Sequence, residues 1–334
     1  MKHHPKLTAS EISNLWTSYQ NDSMTICGIE YFLANIEDTD IRSILEYALD
    51  ISKQHVQRVT DIFQSETYPI PVGFTEHDVN VKAPRLFSDV LYLSYILNMG
   101  KFGLSSYSLA LTLSSRDDII DYYSDCLSET KTLHNWAKSV SKEKGVHVRT
   151  PQIPTPEQVD FVKDTSFLSG GLFGEPRPLL GIEIGDLIYN AKRNALGQAL
   201  ITGFSQVANN KDVRQYFKRG REISGKHLES FNSLLHKNYL SGVSTFTPEV
   251  TDSTVAPFSD KLMMYHISAL VASGIGQYGI SMSTSPRRDL SIDYARLMAE
   301  IAKYANDGAK LMINNGWMEQ PPEAADRQEL AKKK

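Results

Sequence analysis

Apolar residues recur along most of this chain at the three-and-four spacing of helices that bury one side. Thr8-Ala-Ser-Glu11 is a capping-box pattern, and from it Ile12, Leu15, Tyr19, Ile26, Ile29 and Leu33 carry one stripe to about Asn35. The run Glu37-Asp38-Thr39-Asp40 interrupts that stripe and supplies the acidic first turn that a second helix favours. The second stripe reads Ile41, Ile44, Leu45, Ala48, Ile51, Ser52, His55, Val59 and Ile62. From about Glu66 to Pro84 the period lapses and three prolines appear, so a long connection is predicted. A third helix is predicted from about Phe87 to Leu113. A fourth follows a tight turn at Ser115-Arg-Asp-Asp118, again a capping-box pattern, and ends at Gly145.

The same order then returns. At an offset of 172, Leu7, Glu11, Ile12, Leu15, Phe32, Asp40, Arg42, Ser52 and His55 meet Leu179, Glu183, Ile184, Leu187, Phe204, Asp212, Arg214, Ser224 and His227. One deletion inside the long connection changes the offset to 171, and Phe87-Ser-Asp89, Gly103, Tyr107, Arg116, Asp118, Glu129 and Gly145 then meet Phe258-Ser-Asp260, Gly274, Tyr278, Arg287, Asp289, Glu300 and Gly316. A repeat this long is a whole folding unit. The second unit's last helix is expected to open at Pro286, a residue favoured at the first helical position.

Connection lengths set the topology. Helices of about 28 residues span about 40 Å, and about 18 extended residues at about 3.3 Å each can return along that distance. Helices 2 and 3 of each unit are therefore expected to run parallel. Short, long, short is the connection order of a ferritin-like four-helix bundle, so the chain is expected to be all-α, two tandem homologous bundles. The expected divisions are 1–145 for the first bundle, 146–178 for a Pro/Gly-rich linker, 179–320 for the second bundle and 321–334 for a polar tail. The linker contains five prolines, but Val159-Asp-Phe-Val-Lys-Asp-Thr-Ser-Phe-Leu168 is apolar enough that it is expected to pack on a bundle. The tail, with its terminal Lys-Lys-Lys, is expected to be solvated and frayed.

Composition narrows the function. A chain of 334 residues that is 41% apolar and 22% charged, with net charge −4, has room for two cores and no general basic footprint for nucleic acid. Its two cysteines, Cys27 and Cys126, form neither a disulfide framework nor a zinc cluster and are expected to stay reduced. No apolar signal core opens the sequence and no run of 18 apolar residues occurs, so a cytoplasmic protein with no membrane insertion is expected.

Bundles of this topology often hold two metal ions, which need carboxylates from all four helices and two Glu-x-x-His pairs. The residue three before each histidine is never glutamate. What remains for the first unit is a reduced, mononuclear set of Asp22, His55, Glu129 and His134, with Tyr107 nearby. In the second unit Asp22 becomes Asn194 and His134 becomes Ala305, so no metal is expected there. The alternative is structural. A buried imidazole needs partners for both nitrogens, and Asp22 would serve His55 as Asn194 would serve His227. Glu129 and Glu300 lie one residue off the apolar stripe and are expected to point sideways. Gly274-Ile-Gly276-Gln-Tyr-Gly279 spells a dinucleotide-loop motif but follows no strand, so its glycines are read as permitting close helix approach. Tyr92, Tyr95, Met263, Met264, Tyr265 and Met282 on helix 3 are read as packing, or as the wall of a small-molecule site between the bundles.

The strings Phe74-Thr-Glu-His-Asp-Val-Asn80, Ala83-Pro-Arg-Leu-Phe-Ser-Asp89, Pro257-Phe-Ser-Asp-Lys-Leu-Met-Met264 and Asn315-Gly-Trp-Met-Glu-Gln-Pro-Pro322 resemble a domain-of-unknown-function family of spore-forming bacilli. That family consists of tandem ferritin-like bundles and is distantly similar to spore coat protein F. The resemblance covers essentially the whole chain. It implies the fold and a sporulation setting, and it brings no catalytic residues. The expectation is a non-enzymatic structural or interaction protein that engages protein partners or itself and is deposited on the spore, with no cofactor. The competing expectation is a metal-binding protein or metal-dependent oxidase using a single transition-metal ion in the first bundle.

Overall fold

The computed structural model describes residues 5–170 and 176–332. Gly171 and the terminal Lys333 and Lys334 lie outside these residues. Eight long helices carry the fold: α1 (Ala9–Asn35), α2 (Thr39–Ser65), α3 (Asp89–Thr112), α4 (Asp117–Glu143), α5 (Gly181–Val207), α6 (Lys211–Lys237), α7 (Asp260–Thr284) and α8 (Arg288–Asn314). The tail is exposed, as its composition implied, but carries a short α9 (Arg327–Lys332).

Local chemistry sets the helix ends. Thr8 and Glu11 close the capping box of α1, Asp38 and Asn210 cap α2 and α6, and Ser88 and Ser259 cap α3 and α7. Gly145 and Gly316, after α4 and α8, have φ of +70° and +68°, a region that a side chain would strain. Two expected caps are not used. Helix α4 begins behind Arg116, which has no side-chain cap; the Glu11 carboxylate of α1 instead accepts from the N–H groups of Ser115 and Arg116, both at 2.9 Å. Asp118 is drawn away by the Arg116 guanidinium at 2.7 Å. Burial opposes charge on Glu11, yet the backbone donors of Thr8, Ser115 and Arg116 bring its carboxyl down to about 2. Helix α8 likewise starts at Arg288, leaving Pro286 outside it.

Side-chain contacts fix the helix directions. Glu30 meets Lys53 and Asp22 meets His55, so α1 and α2 are antiparallel. His55 meets Glu129 and Arg58 meets Asp125, which makes α2 and α4 antiparallel. Gly100 lies against His134 and Gly103 against Thr130, so α3 also opposes α4. Helices α2 and α3 therefore run parallel, as the long crossover required. In the second unit Arg219–Asp307, His227–Glu300 and Gly274–Ile301 repeat the pattern.

The two bundles are joined by their crossovers. Val79 bridges Phe258 while Phe87 bridges Val250, and these four residues are each other's equivalents at the 171 offset. Ser88 N–H donates to the Glu249 carbonyl and Ser259 N–H to the Asp78 carbonyl, both at 2.9 Å. The cap side chains repeat the exchange, Ser259 with Asp78 and Ser88 with Glu249. This is the reciprocity of a two-fold dimer interface, closed here within one chain. One apolar core accordingly runs through both units, from Phe32, Tyr92 and Phe87 to Phe204, Phe258 and Phe217, with a smaller cluster around Phe63 and Tyr123 at the far end of the first.

The segment after α4 does not pack as its composition implied. Val159 is 89% exposed and Phe161 87% exposed. Its one regular element is a single 3-10 turn at Thr165–Leu168, too short to lay an apolar side on a bundle.

Candidate functional site

His55 enters the first core because Ile51 and Val59, four residues away on either side, place it on the buried stripe of α2. Its Nδ1 faces Asp22 Oδ1 of α1 at 3.5 Å, and its Nε2 lies 2.8 Å from Glu129 Oε2 of α4. The Tyr107 hydroxyl of α3 donates to Asp22 Oδ2 at 3.3 Å and lies 3.5 Å from His55 Nδ1. Four helices thus contribute one polar side chain each. A carboxylate oxygen faces each ring nitrogen, an arrangement that favours the imidazolium. Burial opposes that charge, but the Asp22 charge and the hydrogen bonds to Asp22, Cys126 and Glu129 outweigh it and raise the pKa well above the ordinary value. Cys126 and Cys27 are both free and buried.

The second core has the same plan with one decisive change. His227 lies between Ile223 and Phe231 on α6. Its Nε2 is 3.1 Å from Glu300 Oε2, and its Nδ1 is 2.9 Å from the Tyr278 hydroxyl. Asn194 Nδ2 donates to that hydroxyl at 2.8 Å. The tyrosine proton is left to donate to Nδ1, which fixes the neutral ring with its proton on Nε2. Burial lowers the His227 pKa, and the Glu300 carboxylate offsets this only in part. Asn194 therefore serves His227 through Tyr278 rather than directly. Glu129 and Glu300 both reach inward across the residue by which they miss the stripe. Asp22 in one core and Asn194 in the other separate a charged histidine from a neutral one.

His134 does not join this group. It sits on α4 with its Cβ backed onto Gly100, and its buried Nδ1 has no partner among the described residues. Five residues separate it from Glu129, about 7.5 Å along the helix. The expected four-ligand set is thus not assembled. Nor do the other three converge. Asp22 and Glu129 lie on opposite edges of the imidazole, so no point is shared by both carboxylates and a ring nitrogen. Among the described residues, no group of three or more His, Cys, Asp or Glu side chains could hold a metal ion. The glycines of the dinucleotide-like string lie within α7, and there Gly276 and Gly279 have no neighbour within 4 Å of an added Cβ. Close approach accounts for Gly100 and Gly103 but not for these two.

No helix among the described residues is long and apolar enough to cross a membrane. A family model described as "Protein of unknown function (DUF3231)" matches residues 1–159 and again 168–330. A comparison with curated proteins finds no match. Among solved structures, a putative spore coat protein from Bacillus halodurans C-125 is similar at 18% identity and a TM-score of 0.42, covering 45% of this chain and 98% of its own.

Proposed function

The chain belongs to the DUF3231 family, two copies of whose model fill it, and from that starting point we propose that it is a non-enzymatic scaffold. The reading is carried by one observation: both nitrogens of each core histidine are already engaged by side chains of the protein. A metal ligand must offer a lone pair; a protonated His55 has none, and the Nδ1 lone pair of neutral His227 is taken up by the Tyr278 hydroxyl. Each network instead ties four helices together. The ligands do not fit a di-metal centre, which needs several carboxylates converging on two ions about 3.5 to 4 Å apart. An interaction role, with protein partners or a second copy, accords with an extended segment that presents Val159, Phe161 and Val162 to solvent. Deposition on the spore is the setting that the sequence resemblance suggests.

Metal analysis of tag-free protein tests the scaffold reading. Protein from medium supplemented with iron, manganese and zinc should carry far less than one ion per chain after gel filtration. One or more ions per chain, lost on His55→Ala, would replace the scaffold by the metal-dependent alternative.

A further inference from the structure

Between the bundles lies a cavity of about 1020 Å³, walled by α3, α4 and the irregular residues after it on one side and by α5 and the second crossover on the other. Helix α3 contributes Lys101, α4 contributes Lys138 and Lys142, the segment after α4 contributes Arg149, and α5 contributes Lys192 and Arg193. His147 lines it as well, and no Asp or Glu does among the described residues. None of the six cations forms an ion pair among the described residues, whereas nearby Lys144, outside the cavity, is held by Asp38 and Asp40. Lys101 Nζ and Arg193 Cζ lie 4.8 and 5.7 Å from the centre of one ring, that of Tyr189. Leu97, Leu196 and Phe246 supply apolar wall.

The duplication provides an internal control. The residues equivalent to Lys101, Lys138, Lys142 and Arg149 are Ala272, Ala309, Ile313 and Gln320, and those equivalent to Lys192 and Arg193 are Gln20 and Asn21. Every cation has an uncharged counterpart, so the fold does not require the charge. The space differs too. Ser94 in the cavity wall corresponds to Tyr265, whose ring packs on Phe74 at 5.1 Å and whose hydroxyl donates to Asn21 at 3.1 Å. Across from it, Glu319 accepts from the N–H groups of Val72 and Gly73. One member of a symmetric pair of clefts is thus filled by neutral and paired groups, and the other is open and positive.

Gathering six like charges around a partly enclosed space costs stability unless a counter-charge enters. We infer that this cleft is a binding site for a small organic polyanion, a molecule bearing at least two phosphate or carboxylate groups and an apolar part that lies along Tyr189 and Leu196. The volume is at the upper end for small-molecule sites, about 300 to 1,000 Å³, and lysine with arginine is the donor set for phosphate and carboxylate oxygens. Burial, together with Lys192, Lys138 and Arg193, draws the Lys101 pKa down to about 8, as expected where positive charge is uncompensated. The inference goes beyond the scaffold reading and does not depend on it.

Calorimetric titration of the full chain with tripolyphosphate, and separately with citrate, at fixed ionic strength tests it. Saturable binding of at least one is expected, and the preferred probe tells phosphate from carboxylate ligands. The double variant Lys101→Met/Arg193→Met should weaken that binding by roughly tenfold or more, and should raise the melting temperature of the unliganded protein because like charges are removed. Lys218→Met on α6, outside the cleft, should leave binding unchanged. Failure of both probes to bind would overturn the inference. So would equal binding by the double variant, a lower unliganded melting temperature in that variant, or a single-stranded oligonucleotide binding more tightly than both probes.

Discussion

Replacing His55 with leucine is expected to destabilise the protein by about 3 to 5 kcal/mol, the usual cost of removing one partner from a buried ion pair. Asp22 is 6% exposed, and without the imidazolium it keeps only the Tyr107 hydroxyl as a donor. It must either remain charged in the core or take up a proton. His227→Leu should cost less, about 1 to 3 kcal/mol, because it leaves only the neutral Tyr278 and Asn194 with an unfilled hydrogen bond and frees Glu300 at the surface. Asp22→Asn in the His55→Leu background should restore most of the difference. The two histidines also act oppositely with pH. His55 has a raised folded pKa, so its stabilisation is complete below the unfolded value of about 6.5 and declines as pH rises toward the folded one. His227 has a lowered folded pKa, so its contribution is present above about 6.5 and is lost as pH falls. Urea denaturation of both variants between pH 5 and 9 measures all of this, and equal losses at every pH would show that Asp22 makes no difference.

The second large effect is expected at the join between the bundles. Phe87 is fully buried, its ring lies 6.2 Å from that of Phe204, and its backbone bridges Val250 of the other unit. Gly203 permits this approach, since a Cβ there would lie 2.6 Å from the Phe87 ring. Phe87→Ala should cost about 3 to 5 kcal/mol through lost burial and the cavity left behind. Because the apolar core runs through both units, the chain should unfold in one cooperative transition, and the variant should lower the midpoint of both halves together. Trp16 and Trp136 report on the first unit and Trp317 on the end of the second, so single-tryptophan versions can follow each half. Two separate transitions, with only the first shifted, would mean that the bundles are independent.

How far the chain was legible can be followed in particular residues. The stripes through His55 and His227 located both buried rings, and the proline-bearing crossovers correctly implied parallel second and third helices. Such features are local and periodic. What escaped the sequence depends on distance in space. Nothing near Ser115 indicates that Glu11, more than a hundred residues earlier, caps α4. Glu129 looked misdirected because a helical wheel ignores the reach of a glutamate, whose oxygen regains what its backbone position loses. His134 seemed to share a level with His55 until its place against Gly100 took it to a different layer. The Val159–Leu168 stretch was apolar enough to suggest packing, but composition does not say where a mostly irregular connection runs. The signal for the basic cleft was available in the repeat alignment, where Lys101, Lys192 and Arg193 meet Ala272, Gln20 and Asn21.

The most direct test of the closed, four-helix polar networks is the protonation state of the two core imidazoles, read by nitrogen-15 NMR on selectively labelled protein at pH 7.5 with and without one equivalent of zinc or manganese. His55 should show both ring nitrogens protonated and His227 a single proton on Nε2, with neither pattern changed by metal. Asp22→Asn should neutralise His55, and Asn194→Asp should move the His227 pKa up by about 1 to 3 units. A neutral His55 in the unmodified protein, or a ring nitrogen that loses its proton when metal is added, would contradict the account.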